Sequence, residues 1–274
     1  MSAAPYSRPI AVDSPVFLLT VALAAALGAM MNAVAGGGTL ITFPALIALG
    51  VPPIMANATS TVALWPGTIA SMWGYRRELV GARRWALAFA VPSFAGGIVG
   101  ALLLLQTPEK RFAAIVPWLI LGATALFIAQ KPLMKLLAQE GSVRRNVAGA
   151  DGHLLPPSAS FLLYQFGVSI YGGYFGAGAG ILMLAALGLM GLTNIHQMNG
   201  LKNWGGGVMN LVAVVIFAIS GVVNWPIALA MAVGAGVGGI GGSLLAQRVG
   251  QTWVRRAIVT IGLGSGLAML FGLI

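Results

Sequence analysis

Apolar residues in this chain run in long blocks parted by short polar stretches. The blocks Val16 to Ala35, Trp85 to Leu105 and Pro226 to Ala246 come near or exceed the roughly 20 apolar residues that a helix needs to cross a bilayer. The full pattern predicts ten apolar segments. Five lie at about 16–35, 39–50, 54–75, 85–106 and 112–130, and five at about 158–176, 179–191, 196–219, 226–246 and 256–274. The second of each set is only about a dozen residues, too short for a straight crossing, so it reads as a re-entrant half-helix or part of a short tilted crossing. The expected organisation is an N-terminal tail (1–15), a transmembrane repeat (16–130), a polar cytoplasmic linker (131–157) and a second transmembrane repeat (158–274). The apolar run at 16–35 is too long for the h-region of a cleavable signal, so it reads as a retained helix.

The blocks are interrupted by glycine at matching places. Gly36-Gly37-Gly38 breaks the first half and Gly176-Ala177-Gly178-Ala179-Gly180 the second. Gly36 and Gly38 map onto Gly178 and Gly180 with an offset of 178 − 36 = 142. Gly96-Gly97-Ile98 meets Gly238-Gly239-Ile240 at the same offset. One offset kept over such a length indicates an internal duplication. Interrupted apolar segments at corresponding places in two halves point to a transporter's binding site near the bilayer midplane. Gly96, Gly100, Gly234, Gly238 and Gly242 carry the small-residue spacing that lets membrane helices pack closely, and are assigned to packing.

Composition agrees with an all-α integral membrane protein: 58% of residues are hydrophobic, 7% are charged and the mean hydropathy is +0.92. The net charge of +10 does not suggest nucleic acid, because the basic residues sit in short clusters between apolar spans. Arg76-Arg77 and Arg83-Arg84 crowd one loop, whereas residues 220–225, its counterpart by repeat position, hold no Lys or Arg. Residues 107–111 and 247–256 show the opposite bias. Positive charge marks the cytoplasmic side. Equivalent loops on opposite faces imply two inverted repeats with both termini outside. The expected location is the inner cell membrane, as a multi-pass protein.

The first break continues through Gly50-Val51-Pro52-Pro53 into a polar helix start, Asn57-Ala58-Thr59-Ser60-Thr61. The second continues through Gly191-Leu192-Thr193-Asn194 into His196-Gln197-Met198-Asn199-Gly200-Leu201-Lys202-Asn203. This pairing of glycine break, turn and polar helix start resembles the TauE/SafE family of membrane transporters over nearly the whole chain. The resemblance implies transport of sulfur-containing anions such as sulfite or organosulfonates.

The residues support an anion on separate grounds. A broken helix offers backbone N–H groups and a positive dipole end. Glycines at 36, 37, 38, 178 and 180 would let an oxyanion approach those groups closely. Asn57, Thr59, Ser60, Asn199 and Asn203 add neutral polar groups. Lys202 is the one full charge placed inside an apolar segment, and an intramembrane ionisable residue is a functional candidate because its burial is costly. Snorkelling of Lys202 to the interface is the competing reading. Trp65 and Trp204 lie deeper than the other tryptophans, at positions that flank a permeation path.

The sequence holds no G-x-x-x-x-G-K-[ST] phosphate loop, no nucleophile–base pair and no metal-ligand cluster. The reading is therefore a non-enzymatic secondary transporter or facilitator without cofactor or metal, exporting a small anion from within the lipid bilayer; a homo-oligomer is compatible with it. An anion channel and a non-transporting membrane assembly protein are the alternatives. All five acidic residues fall in loops or at span ends, so no carboxylate relay for protons runs through the spans.

Overall fold

The computed structural model describes residues 14–34, 37–140, 157–190, 192, 194–245 and 251–273. Gly36, one of the candidate site residues, lies outside the described residues, as do Gly191 and Thr193 of the second-half turn. Among the described residues the chain is helical, with ten α-helices and no strand. They are α1 (Pro15–Val34), α2 (Thr39–Ala48), α3 (Pro53–Gly74), α4 (Arg83–Gln106), α5 (Glu109–Glu140), α6 (Ala159–Tyr174), α7 (Ala179–Leu189), α8 (Ile195–Ser220), α9 (Trp225–Leu245) and α10 (Gln251–Leu270). Helix α5 runs on to Glu140, so the polar stretch after residue 130 begins as helix.

The duplication is visible in the helix boundaries. Helices α3, α4 and α5 begin at 53, 83 and 109, and α8, α9 and α10 at 195, 225 and 251; each difference is 142. Packing follows the same exchange. Helix α1 lies against α9 as α6 lies against α4, α3 against α9 as α8 against α4, and α2 against α10 as α7 against α5. The helix contacts of the two five-helix halves thus exchange under the same offset, and α3 and α8 pack against each other.

Glycine permits the closest of these contacts. A Cβ on Gly96 or Gly100 of α4 would collide with the Phe166 or Ile170 carbonyl of α6. One on Gly234 or Gly238 of α9 would collide with the Ala22 or Ala26 carbonyl of α1. The packing role assigned to these glycines is the one they have.

Helices α1, α4, α5 and α8 contain windows long and apolar enough to cross a membrane. Helix α3 has 22 residues yet is not among them. It carries Asn57, Thr59, Ser60, Thr61, Thr68 and Ser71, and this polarity marks it as a helix with business in the interior. Its start is held by Pro53 and by Glu109 of α5, whose Oε1 accepts the Ile54 N–H at 2.9 Å. A carboxylate at a helix N-terminus is favoured by the dipole.

The short helices have 10 residues in α2 and 11 in α7. At 1.5 Å per residue each covers about 15 Å, half of the roughly 30 Å hydrocarbon layer. They begin at the glycine breaks, where Gly37, Gly176 and Gly178 have φ of 123°, 83° and 80°. Side chains seldom tolerate that region, so only glycine turns the chain here without strain. Phe43 of α2 anchors its break by edge-on contacts with Phe112 of α5 at 6.4 Å and Phe175 at 5.4 Å.

Candidate functional site

A cavity of about 110 Å³ lies where both breaks meet the central pair of helices. Its wall takes Asn32 from the end of α1, Gly37 and Thr39 from the first break, and Gly176, Ala179 and Gly180 from the second. Helix α3 contributes Thr61, Leu64, Trp65, Gly67, Thr68 and Ser71, a single face by its three- and four-residue spacing. Helix α8 contributes Lys202, Asn203, Gly206, Met209 and Asn210, likewise one face. Gly172, Phe175 and Met183 complete it.

The duplication built this cavity. Thr61 and Asn203, Leu64 and Gly206, Gly67 and Met209, Thr68 and Asn210, and Gly37 and Ala179 all line it, and every pair is 142 apart. Equivalent faces of the two halves therefore face each other across one space. The charge breaks the symmetry. Lys202 corresponds to Ser60, since 202 − 60 = 142, and Ser60 is turned away, its hydroxyl 2.6 Å from that of Thr42.

Lys202 is 7% exposed and lines the cavity, and no hydrogen bond or ion pair to it occurs among the described residues. Among the described residues no carboxylate lines the cavity. The Lys202 side chain lies along Gly180, where an added Cβ would come within 3.3 Å of its Cδ. The glycine at the break thus leaves room for the lysine stem.

Both short helices point their N-termini at this space. Ala179 donates to the Gly176 carbonyl at 3.2 Å, while the N–H of Gly180 has no partner among the described residues. In the first half the Gly37 and Gly38 N–H groups are already engaged: both donate to Oδ1 of Asn32, at 2.9 and 2.8 Å. The Thr39 N–H is without a partner among the described residues. Two positive helix ends, one ammonium and several hydroxyl and carboxamide groups, with no opposing carboxylate, make a site suited to an anion.

Of the residues singled out in the sequence, the structure brings Gly37, Gly180, Lys202 and Asn203 together around the cavity. Gly38 is buried beside it through its bond to Asn32. Gly178 stands back, packed against Ala123.

Asn57, Thr59 and Ser60 are not part of the lining. Each has a hydrogen-bond partner elsewhere, although the Asn57 Oδ1 is buried with no partner among the described residues. Asn57 donates its Nδ2 to the Tyr174 carbonyl at 3.0 Å, Thr59 accepts the Asn224 N–H at 3.0 Å, and Ser60 pairs with Thr42. Asn199 donates its Nδ2 back to the Ile195 carbonyl at 3.0 Å. His196 is exposed in the first turn of α8, which Asn194 caps by accepting the His196 and Gln197 N–H groups.

Trp65 lines the cavity and its buried indole N–H has no partner. Trp204 instead donates to the Ala86 carbonyl at 2.8 Å and does not line it. Asn32, Thr61, Thr68, Ser71 and Asn210 were missed. The signal for two of them was present: subtracting 142 from Asn203 gives Thr61, and the same helical face continues to Thr68.

The model of the family described as "Sulfite exporter TauE/SafE" matches residues 21–269. The chain is 30% identical to the "Probable membrane transporter protein YfcA" of Escherichia coli K12, over 94% of this chain and 91% of that protein. It is 29% identical to a "Probable membrane transporter protein" of Haemophilus influenzae, over 84% of this chain and 85% of that one. It is 28% identical to the "Probable membrane transporter protein ORF9" of a Sinorhizobium species, over 90% of each. No solved structure matches.

Proposed function

The chain belongs to the sulfite exporter TauE/SafE family of membrane transporters, and we propose that it carries a small sulfur-containing anion, sulfite or an organosulfonate, outward across the inner membrane through the cavity between its two halves. One observation supports this above the others. Lys202, buried and without a partner among the described residues, shares a cavity with the N-terminal ends of both interrupted segments. A buried ammonium without a counter-ion is costly. An anion would supply the missing charge, and the free N–H groups would receive its oxygens.

The geometry also bears on movement. In transporters with inverted repeats, one half rocks against the other around a fixed central site. A cavity lined by equivalent faces of α3 and α8 suits that motion, since the halves meet on the substrate. The same reading makes the two repeats inverted in the membrane and their short helices re-entrant. Among the described residues no carboxylate lines the path and His196 stands outside the cavity, which favours charge movement over proton exchange as the driving force. A potential negative inside favours anion exit by about 2.3 kcal/mol per charge per 100 mV.

Purified protein would be melted against a panel of sulfite, sulfate, chloride, methanesulfonate and taurine, and any stabilising anion tested for flux in liposomes. The reading expects stabilisation by sulfite or a sulfonate and a flux that saturates with concentration. No stabilisation by any member of the panel overturns it, and flux that does not saturate assigns the cavity to a channel.

A further inference from the structure

The two breaks are equivalent by sequence offset but not by state. In the second half Gly180 lines the cavity and its N–H has no partner among the described residues. In the first, one carboxamide oxygen takes two adjacent backbone donors, Gly37 and Gly38, and the residue that supplies it lines the same cavity. Position 174, the counterpart of Asn32 at the offset of 142, is a tyrosine whose hydroxyl pairs with Thr107. The acceptor is therefore a feature of one half alone.

An oxygen that accepts two neighbouring backbone N–H groups at a helix start occupies the place of an oxyanion in an anion-binding turn. We infer that Asn32 is a built-in stand-in for the substrate. Its Oδ1 holds the donors of the first break until an anion, docked on Lys202 and the second break, displaces it and takes those donors over.

This rests on the anion-transport reading of the cavity. The site does not stand on a helix end alone, since Lys202 is more than nine-tenths buried, unpaired and part of the same wall. The exchange has a direction. A neutral carboxamide makes ordinary hydrogen bonds, whereas a charged oxygen makes bonds roughly twice as strong to the same donors. The competing acceptor would keep those N–H groups satisfied in the empty carrier, as buried backbone donors require. It would also weaken the affinity, which helps an exporter release its cargo.

The reading and the inference are separated by comparing three proteins in one assay, anion-dependent thermal stabilisation with sulfite and methanesulfonate. Asn32→Ala removes the competitor, so the dissociation constant for the anion should fall by about fivefold or more while the ligand-free melting temperature drops. Asn32→Asp keeps the acceptor in place and adds a charge. It should melt higher without ligand and lose at least tenfold in affinity, and it serves if Asn32→Ala does not fold. Weaker binding in a folded Asn32→Ala protein, or unchanged binding in Asn32→Asp, overturns the stand-in role and leaves the anion reading intact. An unmodified protein that binds neither anion overturns both.

Discussion

Lys202→Met is the perturbation with the largest calculable consequence, because it acts in opposite directions on the empty and the loaded protein. Methionine keeps most of the length that packs along Gly180 and removes the ammonium. Without ligand, the wild type carries a buried charge that no described residue pairs. Its removal should stabilise the fold, by roughly 2–4 °C for each kcal/mol regained. With ligand, the variant loses a hydrogen bond to a charged group, worth about 1.5–3 kcal/mol. At about 1.4 kcal/mol per decade, the dissociation constant should rise roughly 10- to 150-fold. An anion at about 100 times the wild-type constant stabilises the wild type by about 2.7 kcal/mol; the same concentration should then stabilise the variant by only about 0.3–1.4 kcal/mol. Melting curves with and without anion give both quantities from one preparation. A variant that melts higher yet responds to anion as the wild type does would refute the reasoning and return Lys202 to a snorkelling role.

Thr59→Val should act on stability and not on binding. It leaves the Asn224 N–H without its acceptor, at a cost of about 1–3 kcal/mol, while the anion response of the folded fraction stays unchanged; melting curves with and without anion separate the two. The proposed inversion of the halves would put Glu78 and Ser220 on opposite faces, so single cysteines at these positions should label from opposite sides of sealed cells; labelling from one side refutes inversion. Export driven by charge should appear in liposomes as sulfite flux that follows an imposed potassium-diffusion potential and persists in His196→Ala. Flux that ignores the potential and stops when a proton gradient collapses refutes it.

The fold was legible because the bilayer makes length and glycine speak plainly. All ten helices correspond to the ten apolar segments, and the one offset found in glycines recurs at three pairs of helix starts. The site was only half legible. Lys202, Asn203, Gly37 and Gly180 announce themselves by charge, polarity or the break itself. Asn57, Thr59 and Ser60 do not line the cavity, because partners distant in the sequence engage them elsewhere. Ser60 lies within about 20° of Gly67 and Ser71 around α3, yet its hydrogen bond to Thr42 keeps it out of the lining. Asn32 was illegible for a different reason. Its role depends on the chain folding back so that residue 32 reaches residues 37 and 38, which no periodicity encodes.

The symmetry and the placing of one charge within it belong to one physical argument. Two equivalent faces around a shared cavity give two arrangements of similar energy, which a carrier needs if it is to open to either side. A charge repeated in both halves would place two ammonium groups in a small unpaired space, where repulsion adds to the cost of burying each. One lysine avoids this. Its counterpart Ser60 is neutral and turned to Thr42, so the symmetric partner of the charge is a hydrogen bond outside the cavity. Under the proposed function an anion would carry most of the compensating charge and be held by both halves at once. Its departure leaves Lys202 exposed to the cost of burial in whichever state the halves adopt. On this reading the empty protein is the strained one, and substrate binding, rather than any coupling ion, relieves the strain that the duplicated scaffold was left with.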